Sequence, residues 1–170
     1  MTEKFISYYI SPFGELEICT SEKALISLNY LPNGRKTSFK EDVSLSDDLA
    51  IILETKKQLD EYFAGERKGF DLPLDLIGTE FQQKVWGELL KIPFGRTISY
   101  IEMAKNLGDE KVIRAAASAN GKNPVMIIVP CHRVIGNDGK LVGYAGGLST
   151  KKWLLDHENR LANGVLELFG

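Results

Sequence analysis

The stretch Asn123-Pro124-Val125-Met126-Ile127-Ile128-Val129-Pro130-Cys131-His132-Arg133-Val134 constrains this chain more than any other. Five apolar residues lie between two prolines. So short a run, rich in β-branched side chains, predicts a fully buried strand over 125–129 rather than a helix. Pro130 has no N–H to give a sheet ladder, so pairing is expected to stop there. Cys131 then falls at the rim of the core. It is either a small apolar core residue or a nucleophilic thiol, held near protein dipoles yet within reach of a substrate. The following His132 and Arg133 favour the thiol. Adjacent side chains on a strand point to opposite faces, so contact between Cys131 and His132 needs a backbone turn after Pro130 or a water that relays the proton. The imidazole also needs a partner on its second nitrogen to fix its tautomer. A carboxylate would complete a Cys–His–acid relay, and the residues alone do not choose among the acids available.

A length of 170 residues suits one domain or two small ones. No apolar run approaches the roughly 18 residues of a membrane span, and the N-terminus lacks a signal-peptide pattern. The two cysteines, Cys19 and Cys131, are far apart. That argues against a disulfide framework and for a reducing compartment, the cytoplasm or a eukaryotic nucleus. Two cysteines and two histidines also argue against the usual four-ligand zinc site, and no metal or cofactor is expected. A net charge of −2 hides an asymmetry. Residues 1–78 carry 9 basic and 14 acidic side chains, and residues 79–170 carry 12 basic and 9 acidic. Between Lys111 and Lys152 there are seven basic residues and one acid, Asp138. This is either an ordinary solvated face or a surface that neutralises a few phosphates.

Hydrophobic periodicity divides the chain in two. Phe5–Ile10, Leu16–Thr20 and Ala24–Leu31 read as strands, with Cys19 on the polar side of the second. Residues 33–48 read as loop, residues 49–63 as a helix closed by Gly65, and residues 67–78 as a linker. Thr79-Glu80-Phe81-Gln82 and Ser99-Tyr100-Ile101-Glu102 fit capping boxes, and Asp109 can cap a helix over 110–121. Two short helices joined by a tight turn at Gly108 suggest a helix-turn-helix. In its second helix, Arg114 stands among alanines. Small side chains there serve close helix packing or close approach to DNA, and an Arg is suited to stack on bases. Gly143-Tyr144-Ala145-Gly146-Gly147 reads as a mere connector or as a loop lying close to something flat. Ser149 or Thr150 can cap a last helix over 151–159, and Val165, Leu166, Leu168 and Phe169 could pack back on the domain.

The series Pro93-Phe94-Gly95-Arg96-Thr97-Ile98-Ser99-Tyr100, Arg114-Ala115, Asn123-Pro124, Pro130-Cys131-His132-Arg133-Val134, Gly143-Tyr144-Ala145-Gly146-Gly147-Leu148 and Lys151-Lys152-Trp153-Leu154-Leu155 resembles the O6-alkylguanine-DNA alkyltransferases in order and spacing. The resemblance implies an α/β protein. Residues 1–78 would form a small RNase H-like β-sheet with a helix. Residues 79–170 would form a helical DNA-binding and alkyl-transfer domain with the helix-turn-helix and an active-site strand and turn. It also implies a monomer that repairs duplex DNA once, moving the alkyl group of O6-alkylguanine to Cys131, with O4-alkylthymine as a further candidate substrate. Glu158 and His132 would activate the thiol through a water. Asn123 would be the hinge between recognition helix and active-site strand. Tyr100 would press on the phosphate and help neutralise the leaving guanine. Arg114 would fill the gap left by the extruded base, with Ala115, Ser118 and Lys151 also on DNA. Tyr144, Ala145 and Gly146 would hold the base. Ala145 stands where many members carry Ser, which removes a hydroxyl contact, and the zinc site of some members cannot form. A damage recogniser without transfer, a thiol hydrolase and a helix-turn-helix regulator are the competing readings.

Overall fold

The computed structural model describes residues 2–34 and 42–164. The chain falls into two compact units, Met1–Ile77 and Gly78–Gly170. In the first, β1 (Lys4–Ser11), β2 (Gly14–Thr20), β3 (Leu25–Tyr30) and β4 (Val43–Leu45) form one sheet in the order β3-β2-β1-β4. β1 with β2 and β2 with β3 are antiparallel, and β4 joins β1 in parallel. β4 lies inside the stretch expected to be loop. Three residues give too little periodicity to announce a strand, and only pairing with β1 makes it one. Residues 35–41 of that expected loop lie outside the described residues.

The helix α1 (Ala50–Phe63) buries Ile51, Ile52, Thr55, Leu59 and Tyr62 along one stripe. β2 departs from simple alternation, because Glu17 and Cys19 are buried along with Leu16 and Ile18. Cys19 packs with Ile6 and Ile26, so the side expected to be polar is covered too. The expected linker is partly ordered by the sheet. Leu25 donates its N–H to the Pro73 carbonyl and accepts from the Asp75 N–H.

The second unit is mostly helical. α2 (Glu80–Leu89) opens with the full capping box: Thr79 Oγ1 accepts from the Gln82 N–H and Gln82 Oε1 from the Thr79 N–H. Trp86 of α2 is buried and donates through Nε1 to the Ala119 carbonyl at 2.9 Å. β5 (Ile98–Ser99) leads directly into α3 (Tyr100–Asn106). The second box is only half made: Ser99 Oγ accepts from the Glu102 N–H, while the Glu102 carboxylate meets the Ser99 hydroxyl. Gly108, at φ +98°, turns the chain, and Asp109 caps a 3₁₀ turn (Glu110–Val112) that runs into α4 (Ile113–Gly121). α3, the turn and α4 are the expected helix-turn-helix.

The expected strand over 125–129 is instead a buried turn. The Ile128 N–H donates to the Met126 carbonyl across Ile127, whose φ is +71°. That is a γ-turn with a β-branched residue in the left-handed region, a strained arrangement kept only where surrounding packing dictates it. The packing is present: Val125 through Val129 are all buried. The composition is that of a strand, but only Val125 takes part in a bridge and turns cover 126–128, so no ladder runs along the segment among the described residues. After it, β6 (Val134–Ile135) pairs in parallel with β5. α5 (Leu148–Asn163) starts earlier than expected, with Gly147 as N-cap and no side-chain cap from Ser149 or Thr150. Residues 165–170, expected to pack back on the domain, lie outside the described residues.

Candidate active site

Pro130, at φ −83° and ψ 62°, lies at the centre of a second γ-turn, closed by the Cys131 N–H on the Val129 carbonyl at 2.8 Å. Cys131–Arg133 is then a single 3₁₀ turn. The backbone does turn after Pro130, so Cys131 and His132 are not opposed across a strand. Asn123 holds the preceding turn from both ends: its Nδ2 donates to the Val129 carbonyl at 2.7 Å, and its Oδ1 accepts from the Val125 N–H at 2.9 Å. Asn123 thereby braces the segment that leads from the end of α4 to the cysteine turn.

The side chains of His132 and Glu158 are 0% and 1% exposed, and His132 Nε2 lies 2.7 Å from Glu158 Oε2. Arg133 clamps the same carboxylate: Nε donates to Oε1 at 2.7 Å and Nη2 to Oε2 at 3.1 Å. Its Nη1 donates to the Ile92 carbonyl, and its guanidinium lies over the Phe94 ring. Burial tends to raise the Glu158 carboxyl, but His132 beside it, together with the hydrogen bonds and charge of Arg133, outweighs it and holds it well below the usual carboxylate range. Burial dominates at His132 and depresses its pKa despite Glu158, with Arg133 and Lys151 adding to the depression. The imidazole is therefore neutral at pH 7. With Nε2–H directed to Glu158, Nδ1 carries the lone pair, and this buried atom has no hydrogen-bond partner among the described residues. The arrangement is a base held in one tautomer by an ionised acid.

Cys131 is 6% exposed, and burial pushes its thiol up. Four features work the other way: the Asn123 hydrogen bond, the Lys151 ammonium, and the backbone amides of Cys131 and His132. At rest the sulfur is a neutral thiol in surroundings arranged to receive a thiolate.

Lys151 does not lie where the resemblance placed it. It is fully buried, and Nζ donates to the Val134 carbonyl at 2.6 Å and the Val142 carbonyl at 2.8 Å. Burial lowers its pKa to about 8, against the pull of Cys131. It ties the cysteine turn to the Gly-Tyr loop and offers DNA no surface charge. Arg114, Ala115 and Ser118 are exposed on α4 at helical spacing, with Lys111 one turn before.

A cavity of about 660 Å³ lies between this helix and the loop, lined by Tyr100, Arg114, Ala117, Gly143, Tyr144 and Ala145 among others. Tyr100 and Tyr144 are both raised, first by burial and then by the negative charge that Cys131 would carry as a thiolate. The Tyr144 hydroxyl is buried with no hydrogen-bond partner among the described residues. A Cβ at Gly146 would come 3.1 Å from the Tyr144 ring, so a side chain there would crowd the aromatic that lines the cavity.

Two residues have no role assigned to them by the sequence. Arg133 is the second partner of Glu158, and Asn120 reaches Tyr100 and the Cys131 carbonyl. Arg133 stood within the Pro-Cys-His-Arg run. Asn120 was a polar residue at the buried end of an alanine helix, which was the available signal. No group of three or more His, Cys, Asp or Glu side chains that could hold a metal occurs among the described residues.

The family model of the 6-O-methylguanine DNA methyltransferase DNA binding domain matches residues 80–160. The model of the 6-O-methylguanine DNA methyltransferase ribonuclease-like domain matches residues 4–76. The methylated-DNA–protein-cysteine methyltransferase of Methanosarcina acetivorans is 44% identical over 91% of this chain and 97% of that protein. The one of Mycolicibacterium paratuberculosis is 53% identical over 94% of each. A crystal structure of Mycobacterium tuberculosis OGT in complex with DNA is 42% identical and superposes with a TM-score of 0.85 over 93% of this chain and 94% of that one. The two family models together span both halves of the chain, and the relatives match nearly end to end, so the chain belongs to the methylated-DNA–protein-cysteine methyltransferase family.

Proposed function

We propose that this protein repairs duplex DNA by taking the alkyl group of O6-alkylguanine onto Cys131, once per chain. The observation that carries this is the turn at Cys131, backed by a neutral His132 oriented by an ionised Glu158. In this reading α4 lies along the DNA minor groove, with Arg114 in the space the extruded guanine leaves and Ala115 and Ser118 against the backbone. The flipped base enters the cavity beside Tyr144, Ala145 and Gly146. Flipping costs a few kcal/mol, least for a poorly paired base, which biases entry toward lesions. His132 Nδ1 takes the thiol proton through a water. The sulfur attacks the alkyl carbon, the S–C bond forms, the C–O6 bond breaks, and the electron pair passes into guanine, which is neutralised by a proton from Tyr100. The thioether has no easy leaving group, so the protein is consumed. The roles given to residues 1–78 and 79–170 are supported by the two compact units and by family models that each match within one of those ranges.

The test is intact mass after mixing with a duplex carrying one O6-methylguanine. One methyl per chain, on the peptide containing Cys131, is expected, and Cys131→Ser is expected to bind the duplex and gain nothing. Methyl uptake by that variant would move the nucleophile elsewhere. Binding by the wild type without any mass change would make the protein a damage recogniser.

A further inference from the structure

Asn120 is 3% exposed, and its carboxamide lies between Tyr100 and the nucleophile. Nδ2 is 3.3 Å from Tyr100 Oη and 3.4 Å from the Cys131 carbonyl oxygen. A carbonyl oxygen can only accept, so the nitrogen end of the carboxamide is the end that faces this pair. The amide has two hydrogens, one for each acceptor. Both bonds are long, as hydrogen bonds in an unloaded site often are before a substrate tightens them. The Tyr100 oxygen is thus an acceptor toward Asn120, and its single proton is left for another direction. The open direction is the cavity that Tyr100 lines. Its hydroxyl faces the loop backbone there, 4.0 Å from where a Cβ on Gly143 would stand.

We propose that Asn120 is a positioning residue for the alkyl transfer: it fixes the polarity of the Tyr100 hydroxyl, so that this group donates toward the departing base. The inference rests on the reading of Cys131 as alkyl acceptor. Asn120 accounts for the direction of one proton. As the C–O6 bond breaks, the guanine anion takes the Tyr100 proton, the carboxamide N–H supports the phenolate left behind, and the proton that His132 took from the thiol reaches the phenolate through solvent, restoring both groups. The same hydrogen bond works against the burial that raises Tyr100.

Two reagents separate this role from a structural one. O6-methylguanine in a duplex has a leaving group that needs a proton, whereas iodoacetamide loses iodide and needs none. Both label Cys131, and the mass of the peptide that carries it separates this from labelling at Cys19. Asn120→Asp keeps the shape but accepts, turning the tyrosine proton toward itself, and Asn120→Leu keeps the bulk without a donor. Each is expected to slow methyl transfer by about tenfold or more relative to iodoacetamide labelling. In a Tyr100→Phe background, Asn120→Leu is expected to leave that ratio unchanged, since the hydroxyl it directs is gone. Equal slowing with both reagents, no slowing with either, or a further loss in the Phe background would each overturn the proposal. If Asn120→Asp fails to fold, the Leu pair decides alone. A wild-type chain labelled by iodoacetamide that takes no methyl would overturn the alkyl-acceptor reading, and this inference with it.

Discussion

Glu158 serves His132 and Arg133 with two oxygens inside a dry interior, and that load is what makes it sensitive. Glu158→Gln keeps the volume but removes the charge. The Arg133 side chain, 8% exposed, would then be left without a counter-charge. Breaking one side of a buried pair costs about 3–5 kcal/mol, and that loss is expected in urea unfolding of the variant. A loss below about 1 kcal/mol would mean that solvent reaches the guanidinium. The same variant is expected to slow methyl transfer, because a neutral Gln no longer favours the imidazolium that forms when the thiol gives up its proton. This site was only partly legible in the sequence. Cys131 and His132 announce themselves as neighbours among prolines. The choice of Glu158 is invisible to local pattern, since the acid lies 26 residues from His132. Lys151 misled for a related reason: a Lys near a helix start reads as a surface charge, and only the fold supplies the two carbonyls that bury it.

At the scale of elements, capping and periodicity are local, so the helices could be read from short windows. Thr79, Ser99 and Asp109 each cap as their sequence suggests. A strand is a statement about a partner, and residues 125–129 have the composition of a strand but, beyond a single bridge at Val125, no ladder among the described residues. The apolar run was legible as buried; its path through two γ-turns was not, because a left-handed Ile127 runs against every local preference. The outcome suits the element that follows, since the turn at Pro130 and not a strand end aims Cys131. α4 is the element through which duplex substrates are expected to differ from free base. Arg114→Ala is expected to slow reaction with an O6-methylguanine duplex by tenfold or more, by removing the side chain that holds the base out of the stack. Reaction with the free modified base, which needs no flipping, is expected to change by less than about twofold. Equal loss on both substrates would show that Arg114 acts on the cysteine turn and not on DNA.

Across the whole molecule, charge is where sequence and structure differ most. Of the seven basic residues between Lys111 and Lys152, Arg133 and Lys151 are buried. The exposed cations are Lys111, Arg114, Lys122 and Lys140. The interior charge leaves a signature in acid stability. His132 is depressed by burial, so on acidification the unfolded chain takes up this proton first, from about pH 6.5 downward. Its folded form resists until lower pH, and stability falls across that interval. Glu158 has the same sign: its folded carboxyl lies well below the ordinary range, so the stability it contributes is present above about pH 4.3 and drains away below it. Alkaline behaviour is mixed, because Cys131 and Tyr144 are raised while Lys151 is lowered to about 8. The acid side is therefore the clean test. Urea unfolding is expected to give a stability that declines steadily from pH 7 to pH 5 and more steeply below. The chain has one other histidine, His157, so the control is His132→Gln. That variant cannot take up the proton in either state, and its decline between pH 6.5 and pH 5 is expected to flatten. An unchanged slope would assign the early decline to His157 and would mean that burial does not depress His132 in the folded protein.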